Sequence, residues 1–298
     1  MNWQHRDVYA KDSRLCLAAL AEALTRGELA LFLGAGVSKP FGLPSWPELI
    51  RLCCARHGID SSRVLDDASF DALTAVAGQI RAAVTGDAEL HATVRACLYS
   101  ADHQSRRTKP SPMLSAIGAL TMGSKRGRIR EVWTLNYDDM LEWYLRMHGF
   151  VAQVVTRAPS LLRDPDVMIF HPHGFLPFDE RNGPDSSELV FTDTSYAKRS
   201  LKVDESWRVS VQRLLRTRIL IVIGMSWTDL LIKQLMMDAS TEITERPIAF
   251  WFFKSEANDP DLEQCLRHNV VPITFKSYDD MPAFLLGTCE RAGANLWS

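Results

Sequence analysis

Several short segments of this 298-residue chain are apolar at nearly every position: "LALFLG" (29–34), "RILIVIG" (218–224), "IAFWFF" (248–253) and "VVPITF" (270–275). A strand with one wet face alternates apolar and polar residues, so a run without alternation demands cover on both faces. Central strands of an open parallel sheet meet that demand, because helices pack on each side of it. "IREVWTL" (129–135), "VMIFHPH" (167–173) and "ELVFT" (188–192) complete a set of strand candidates. Helix-like segments at Asp138–Met147, Ser206–Leu215 and Trp227–Asp238 fall between them, the pattern of βαβ units. The expected fold class is therefore α/β, a Rossmann-like doubly wound, mostly parallel sheet.

One block interrupts the alternation. From Trp46 to about Arg128 there is no strand signal, only amphipathic segments such as Phe70–Val84 and Glu89–Tyr99. They predict an inserted helical module, approximately residues 47–128, within a single domain spanning 1–298, a size that one core still supports. The run "DERNGPDSSE" (179–188) carries turn chemistry and predicts a surface connection.

With 46% hydrophobic residues, 23% charged residues and a net charge of −2, the composition is that of a soluble globular protein with no global attraction to nucleic acid or anionic lipid. No apolar stretch reaches membrane-spanning length and the first residues lack a signal-peptide core, so a cytoplasmic location is expected. The six cysteines are scattered without a C-x-x-C pair, which predicts reduced thiols and no metal site. A local basic cluster, Arg106, Arg107, Lys109, Lys125, Arg126, Arg128 and Arg130, is a solvated face or a contact for nucleic acid or an acidic partner. Tryptophans such as Trp3, Trp207 and Trp297 belong to the core or mark an interface.

Chemistry concentrates where strand candidates end. "GAGVS" (34–38) follows the first apolar run directly, and at the carboxyl edge of an open sheet such a turn lets backbone approach an anionic ligand. Gly34 and Gly36 permit the approach, Ala35 keeps the path narrow, and Ser38 is a phosphate donor or a helix cap. The dehydrogenase pattern G-x-G-x-x-G fails because Lys39 stands at its third glycine, and no P-loop pattern is present. "TLNYDDMLE" (134–142) offers Asn136 and Asp138 at a second strand end, as ligand contacts or as helix caps. "HPHG" (171–174) ends a third strand; a metal pair is disfavoured by the lack of further ligands, whereas His173 beside Gly174 suits acid–base work. "GMSWTD" (224–229) ends a fourth with Gly224, Ser226 and Asp229 at a helix start.

These four motifs, in this order, resemble the sirtuin-like superfamily, and more closely the bacterial sirtuin-like domains of anti-phage defence systems than the protein deacylases. The resemblance runs from Leu29 to Phe275. It implies NAD+ as the substrate. Gly34, Ala35, Gly36 and Ser38 match the phosphate-binding turn, and Pro44 and Trp46 match the loop over the nicotinamide end. Asn136 and Asp138 match residues near the nicotinamide ribose, His173 matches the catalytic histidine, and Gly224 and Ser226 match the G-x-S nucleotide contact. Asp229, at the start of the following helix, joins the cofactor-binding set.

Two departures bear on the subclass. The deacylases carry two C-x-x-C pairs on a zinc module, and this chain has none. They also carry Asp-Phe-Arg after the G-[IL]-P turn, where this chain has Ser45, Trp46 and Pro47. The expectation is an NAD+ hydrolase, a glycohydrolase of the nicotinamide–ribose bond acting in anti-phage defence by NAD+ depletion. A non-catalytic NAD or ADP-ribose binding module and an NAD-dependent protein deacylase are the alternatives. The resemblance further implies a homo- or hetero-oligomer gated by a separate sensor or regulatory protein encoded nearby, with nucleic acid reached only through that partner or the basic cluster, and no membrane contact.

Overall fold

The computed structural model describes residues 6–62, 69–100, 102–122, 129–157, 164–182, 188–201, 205–225, 230–254 and 260–297. Helices α1 (Arg6–Lys11) and α2 (Ser13–Thr25) lead into strand β1 (Leu29–Leu33). Two short 3₁₀ turns (Ala35–Val37 and Lys39–Phe41) follow. Before strand β2 (Glu131–Thr134) come helices α3 (Trp46–His57), α4 (Phe70–Ala83), α5 (Gly86–Leu98), α6 (His103–Arg107) and α7 (Pro112–Met122). Helix α8 (Met140–Met147) is followed by strands β3 (Ala152–Val155) and β4 (Val167–Phe170), and then by helices α9 (Asp193–Leu201) and α10 (Glu205–Thr217). The remainder alternates: β5 (Ile219–Ile223), α11 (Leu230–Glu242), β6 (Ala249–Lys254), α12 (Pro260–Arg267), β7 (Val270–Phe275) and α13 (Asp280–Trp297).

All seven strands form one sheet in the order β3-β4-β2-β1-β5-β6-β7, and every neighbouring pair is parallel. The chain begins in the middle, builds outward to β3 and β4, then returns to the other side of β1 for β5 to β7. This makes the boundary between β1 and β5 the topological switch point, where an open α/β sheet leaves a crevice at its carboxyl edge.

The apolar runs are explained by what each strand face meets. Leu29, Leu31 and Leu33 of β1 join one buried cluster together with Ile219, Ile221 and Ile223 of β5. Ala30 and Phe32 join a second cluster on the opposite face with Leu220, Val222 and Trp251. In that second layer Trp133 stacks on Phe170 at 4.5 Å and meets Trp207 edge-on at 5.6 Å, so Trp207 is core. Trp3 and the side chain of Trp297 lie outside the described residues.

Two strand assignments need correction. "ELVFT" is not a strand: its residues are buried from Leu189 to Thr192, but its backbone bonds go to loop partners rather than to a ladder. Conversely β3 was unrecognised, because "AQVV" is a four-residue edge strand whose first three positions are only half-buried. Of the basic cluster, one member leaves the surface. Arg107 is buried against Asp139 at 2.8 Å, while Arg106 meets Asp102 at 2.5 Å and Arg130 meets Asp164 at 2.7 Å. Lys125, Arg126 and Arg128 lie outside the described residues. The six cysteines form no disulfide. Among the described residues no helix is long and apolar enough to cross a membrane, and no group of three or more His, Cys, Asp or Glu is placed to hold a metal ion.

Candidate functional site

The glycine turn closes against the end of β5. Gly34 donates its N–H to Ile223 O and Gly36 to Gly224 O, each at 2.9 Å. The chains are so close that a Cβ on Gly34 would stand 2.4 Å from Gly224 O, and one on Gly36 would stand 2.7 Å from Gly224 Cα. Space, rather than backbone conformation, therefore requires these glycines. The amides of Val37 and Ser38 turn inward too, to Gly34 O and Ala35 O.

Side chains at the end of β2 tie onto this turn. Asn136 Nδ2 donates to Gly34 O at 3.1 Å and lies 3.4 Å from Ser38 Oγ. Ser38, buried, donates to Asp138 Oδ1 at 3.0 Å, so its hydroxyl serves neither as a helix cap nor as an exposed donor. The same Asp138 oxygen accepts the N–H of Met140 at 3.1 Å, so Asp138 joins the network from just before α8, whose N-cap position is held by Asp139. Burial pushes the Asp138 carboxyl up to about 6, against the opposing bond from Met140 and with help from the nearby Glu142 charge.

The end of β4 supplies the two histidines, and they part company. His171 is fully buried, with Nδ1 2.9 Å from Asn136 O and Nε2 2.6 Å from Glu142 Oε1. Both nitrogens face acceptors, an arrangement that an imidazolium beside a carboxylate satisfies in full. Burial opposes that charge, but the Glu142 carboxylate and its hydrogen bond outweigh it, and the pKa of His171 is raised. His171 is thus the backbone anchor of Asn136. His173, also buried, packs edge-on against Tyr196 at 5.0 Å, and its carbonyl accepts the N–H of Val190 at 2.9 Å. Gly174 turns the chain at φ +106°, where a Cβ would also strike Leu189.

The misread segment 188–192 finds its purpose here. Val190 accepts the Tyr137 hydroxyl at 2.6 Å while donating to His173, so it bridges the ends of β2 and β4. Trp46, the first residue of α3, meets Phe191 edge-on at 5.2 Å and Tyr137 at 6.4 Å. Its buried indole Nε1 has no hydrogen-bond partner. The capping box of α3, in which Glu48 Oε2 accepts the Ser45 N–H at 2.7 Å, fixes where that indole starts. Pro44, half-buried, precedes it.

Gly34, Ala35, Gly36, Ser38, Asn136, Asp138 and Gly224 are thus joined by backbone and side-chain bonds, and His173 lies one strand further along the same edge. Ser226 and Asp229 lie outside the described residues. Sequence reasoning missed Glu142 as the partner of His171. The available signal was its place as the acidic residue in the first turn of the helix that opens beside the end of β2.

Comparison with known proteins agrees with this architecture. Residues 130–273 match the family of SIR2-like domains. The chain is also similar to the NAD(+) hydrolase ThsA of Enterococcus faecium, at 24% identity over 239 residues, which is 76% of this chain and 43% of that protein's length. The chain thus spans less than half of that relative. Together with the parallel sheet and the turn at its switch point, these matches support a sirtuin-like domain in this chain.

Proposed function

We propose that the protein is an NAD+ hydrolase that cleaves the bond between nicotinamide and ribose, releasing nicotinamide and ADP-ribose. The observation that carries this reading is the bonded chain from Gly34 O through Asn136 and Ser38 to Asp138, at the switch point of the sheet. The similarity to an NAD(+) hydrolase supports it. In this reading NAD+ is the substrate and no metal takes part.

Breaking the C1′–N bond leaves positive charge on the ribose, and water must deliver its oxygen to that carbon while losing a proton. Asn136, its carbonyl anchored by His171, orients the ribose or the attacking water. His173 takes the proton, since an imidazole titrates close to neutrality. Asp138, kept as a carboxylate above pH 6 or so, holds Ser38 and favours nearby positive charge. Trp46 and Pro44 cover the nicotinamide end, and the indole N–H of Trp46 offers the ligand a donor. The turn Gly34–Ala35–Gly36 lies beside the phosphates, with the amides of Gly34 and Gly36 held by the end of β5, and Gly224, Ser226 and Asp229 complete the nucleotide contact. By its resemblance to the defence-system domains, the cellular role is NAD+ depletion during phage infection, under the control of a separate regulatory protein.

The test is incubation with NAD+, alone and with the products of neighbouring genes, followed by chromatography for nicotinamide and ADP-ribose. Asn136→Ala and His173→Ala are expected to cut turnover by about 100-fold or more with the circular dichroism spectrum unchanged. Undiminished turnover in both variants would overturn the assignment. Nicotinamide release only with an acyl-lysine peptide would make the protein a deacylase, and tight binding without release under any condition would make it a non-catalytic module.

A further inference from the structure

Helices α3 and α5 pack against each other in the block before β2, and a polar contact sets their register. His57 Nε2 lies 3.1 Å from Thr93 Oγ1. One turn earlier on α3 stands Cys53, and one turn later on α5 stands Cys97. Residues one turn apart share a helix face, so an antiparallel pair that joins His57 to Thr93 also brings Cys53 to Cys97. The thiols meet there, with Cys53 donating its S–H to the Cys97 sulfur. Ile50 and Cys53 of α3 and Leu90, Val94 and Leu98 of α5 belong to one buried cluster, and Cys97 packs at its edge.

The two thiols differ as a reactive thiol and its resolving partner do. Cys53 has no exposed surface, whereas Cys97 is half-buried. The bond from Cys53 favours a negative sulfur at Cys97 and holds its pKa below the usual thiol value, against desolvation and with help from Arg56. The same bond, and burial after it, raise the pKa of Cys53. Cys16, Cys54 and Cys265 are fully buried. Cys289 is half-buried, but burial and the Glu290 charge push its thiol up to about 11.

We propose that Cys97 and Cys53 are a peroxide-oxidisable pair, in which Cys97 reacts with hydrogen peroxide and Cys53 then closes a disulfide between α3 and α5. The Cys97 thiolate attacks one peroxide oxygen, the O–O bond breaks, and the departing hydroxide takes up a proton to become water. Cys53 then attacks the sulfur of the resulting sulfenic acid; its S–H proton leaves with the hydroxyl group as a second water, and the S–S bond forms. Two thiols lose two electrons in all, and one peroxide is reduced to two waters. The bridge ties α3, whose first residue is Trp46, to α5, which runs on into Tyr99. The proposal does not depend on NAD+ turnover, and its test contains no NAD+.

The reduced whole chain would be treated with hydrogen peroxide and followed by intact mass and by peptide mapping without reductant. The expected result is a loss of about 2 Da that dithiothreitol reverses, with a bridge joining Cys53 to Cys97. Cys97→Ser is expected to slow oxidation at least about 10-fold, because it removes the thiolate that reacts first. In Cys53→Ser the oxidation should stop at Cys97 as a sulfenic acid that dimedone captures. Cys54→Ser, which changes only the neighbour in sequence, should leave the bridge intact. A parent chain that forms no bridge, or one made through Cys54 or Cys289, would overturn the proposal. So would equal oxidation rates with and without Cys97.

Discussion

Asp138 is held in a place that disfavours its charge, and this has a measurable sign. Its carboxyl titrates near 6 in the folded protein against 3.8 ordinarily, so between these values the folded state holds more protons than the unfolded one. Stability from this group therefore falls as pH rises from about 4 to above 6, by about 3 kcal/mol in all. Asp138→Asn is expected to be more stable than the parent at pH 8 and equal to it near pH 4, by denaturant titration at each pH. If the carboxylate serves the reaction, the same variant loses NAD+ turnover, and the opposite movement of stability and activity identifies strain retained for function. His171 behaves in the reverse sense. Its pKa is raised above 6.5 by Glu142, so the pair stabilises fully below pH 6.5 and loses its contribution as pH climbs through the raised value. Glu142→Ala should cost about 3 kcal/mol or more at pH 6, because it strands a buried charge, and visibly less at pH 9. The motif "HPH" made both histidines visible, but nothing in its spacing says which one finds a carboxylate. That depends on α8 laying Glu142 against the end of β4.

At the scale of elements, the turn after β1 works by excluding side chains. Gly34→Ala is expected to lower stability by about 1–3 kcal/mol, since the added methyl meets the Gly224 carbonyl and one of the two backbones must give way. The start of α3 rests on its capping box, and Ser45→Ala should cost about 1 kcal/mol and loosen Trp46, a change that tryptophan fluorescence can follow. Strands were legible where burial on both faces removed every polar residue, as in β1 and β5. They were not legible where burial had another cause. Residues 189–192 are as apolar as a strand because they pack over the Tyr137 and His173 turns, and β3 is mixed because an edge strand is covered less completely. Hydrophobicity records burial; it does not record which hydrogen bonds accompany it.

Across the whole molecule, the site is the place where distant parts of the chain share one edge. Residues 34–38, 136–138 and 224 come together because β2, β1 and β5 are neighbours in one parallel sheet, and residue 173 follows at the end of β4 beside β2. A ligand bridging these segments stabilises the folded state by mass action. NAD+ at about 100 times its dissociation constant should add about 2.7 kcal/mol, seen as a rise of several degrees in Tm that Asn136→Ala diminishes. The sequence alone determined that buried parallel strands alternate with helices and that small or polar residues end those strands, because apolar runs and glycine turns are local properties of the chain. Only the tertiary structure decided that four amides of the glycine turn face inward, that His171 rather than His173 anchors Asn136, and that Arg107 belongs to a buried pair instead of a basic face. Each of these depends on which group from a remote segment arrives within hydrogen-bonding distance, and that is set by the order of the strands rather than by any stretch of residues.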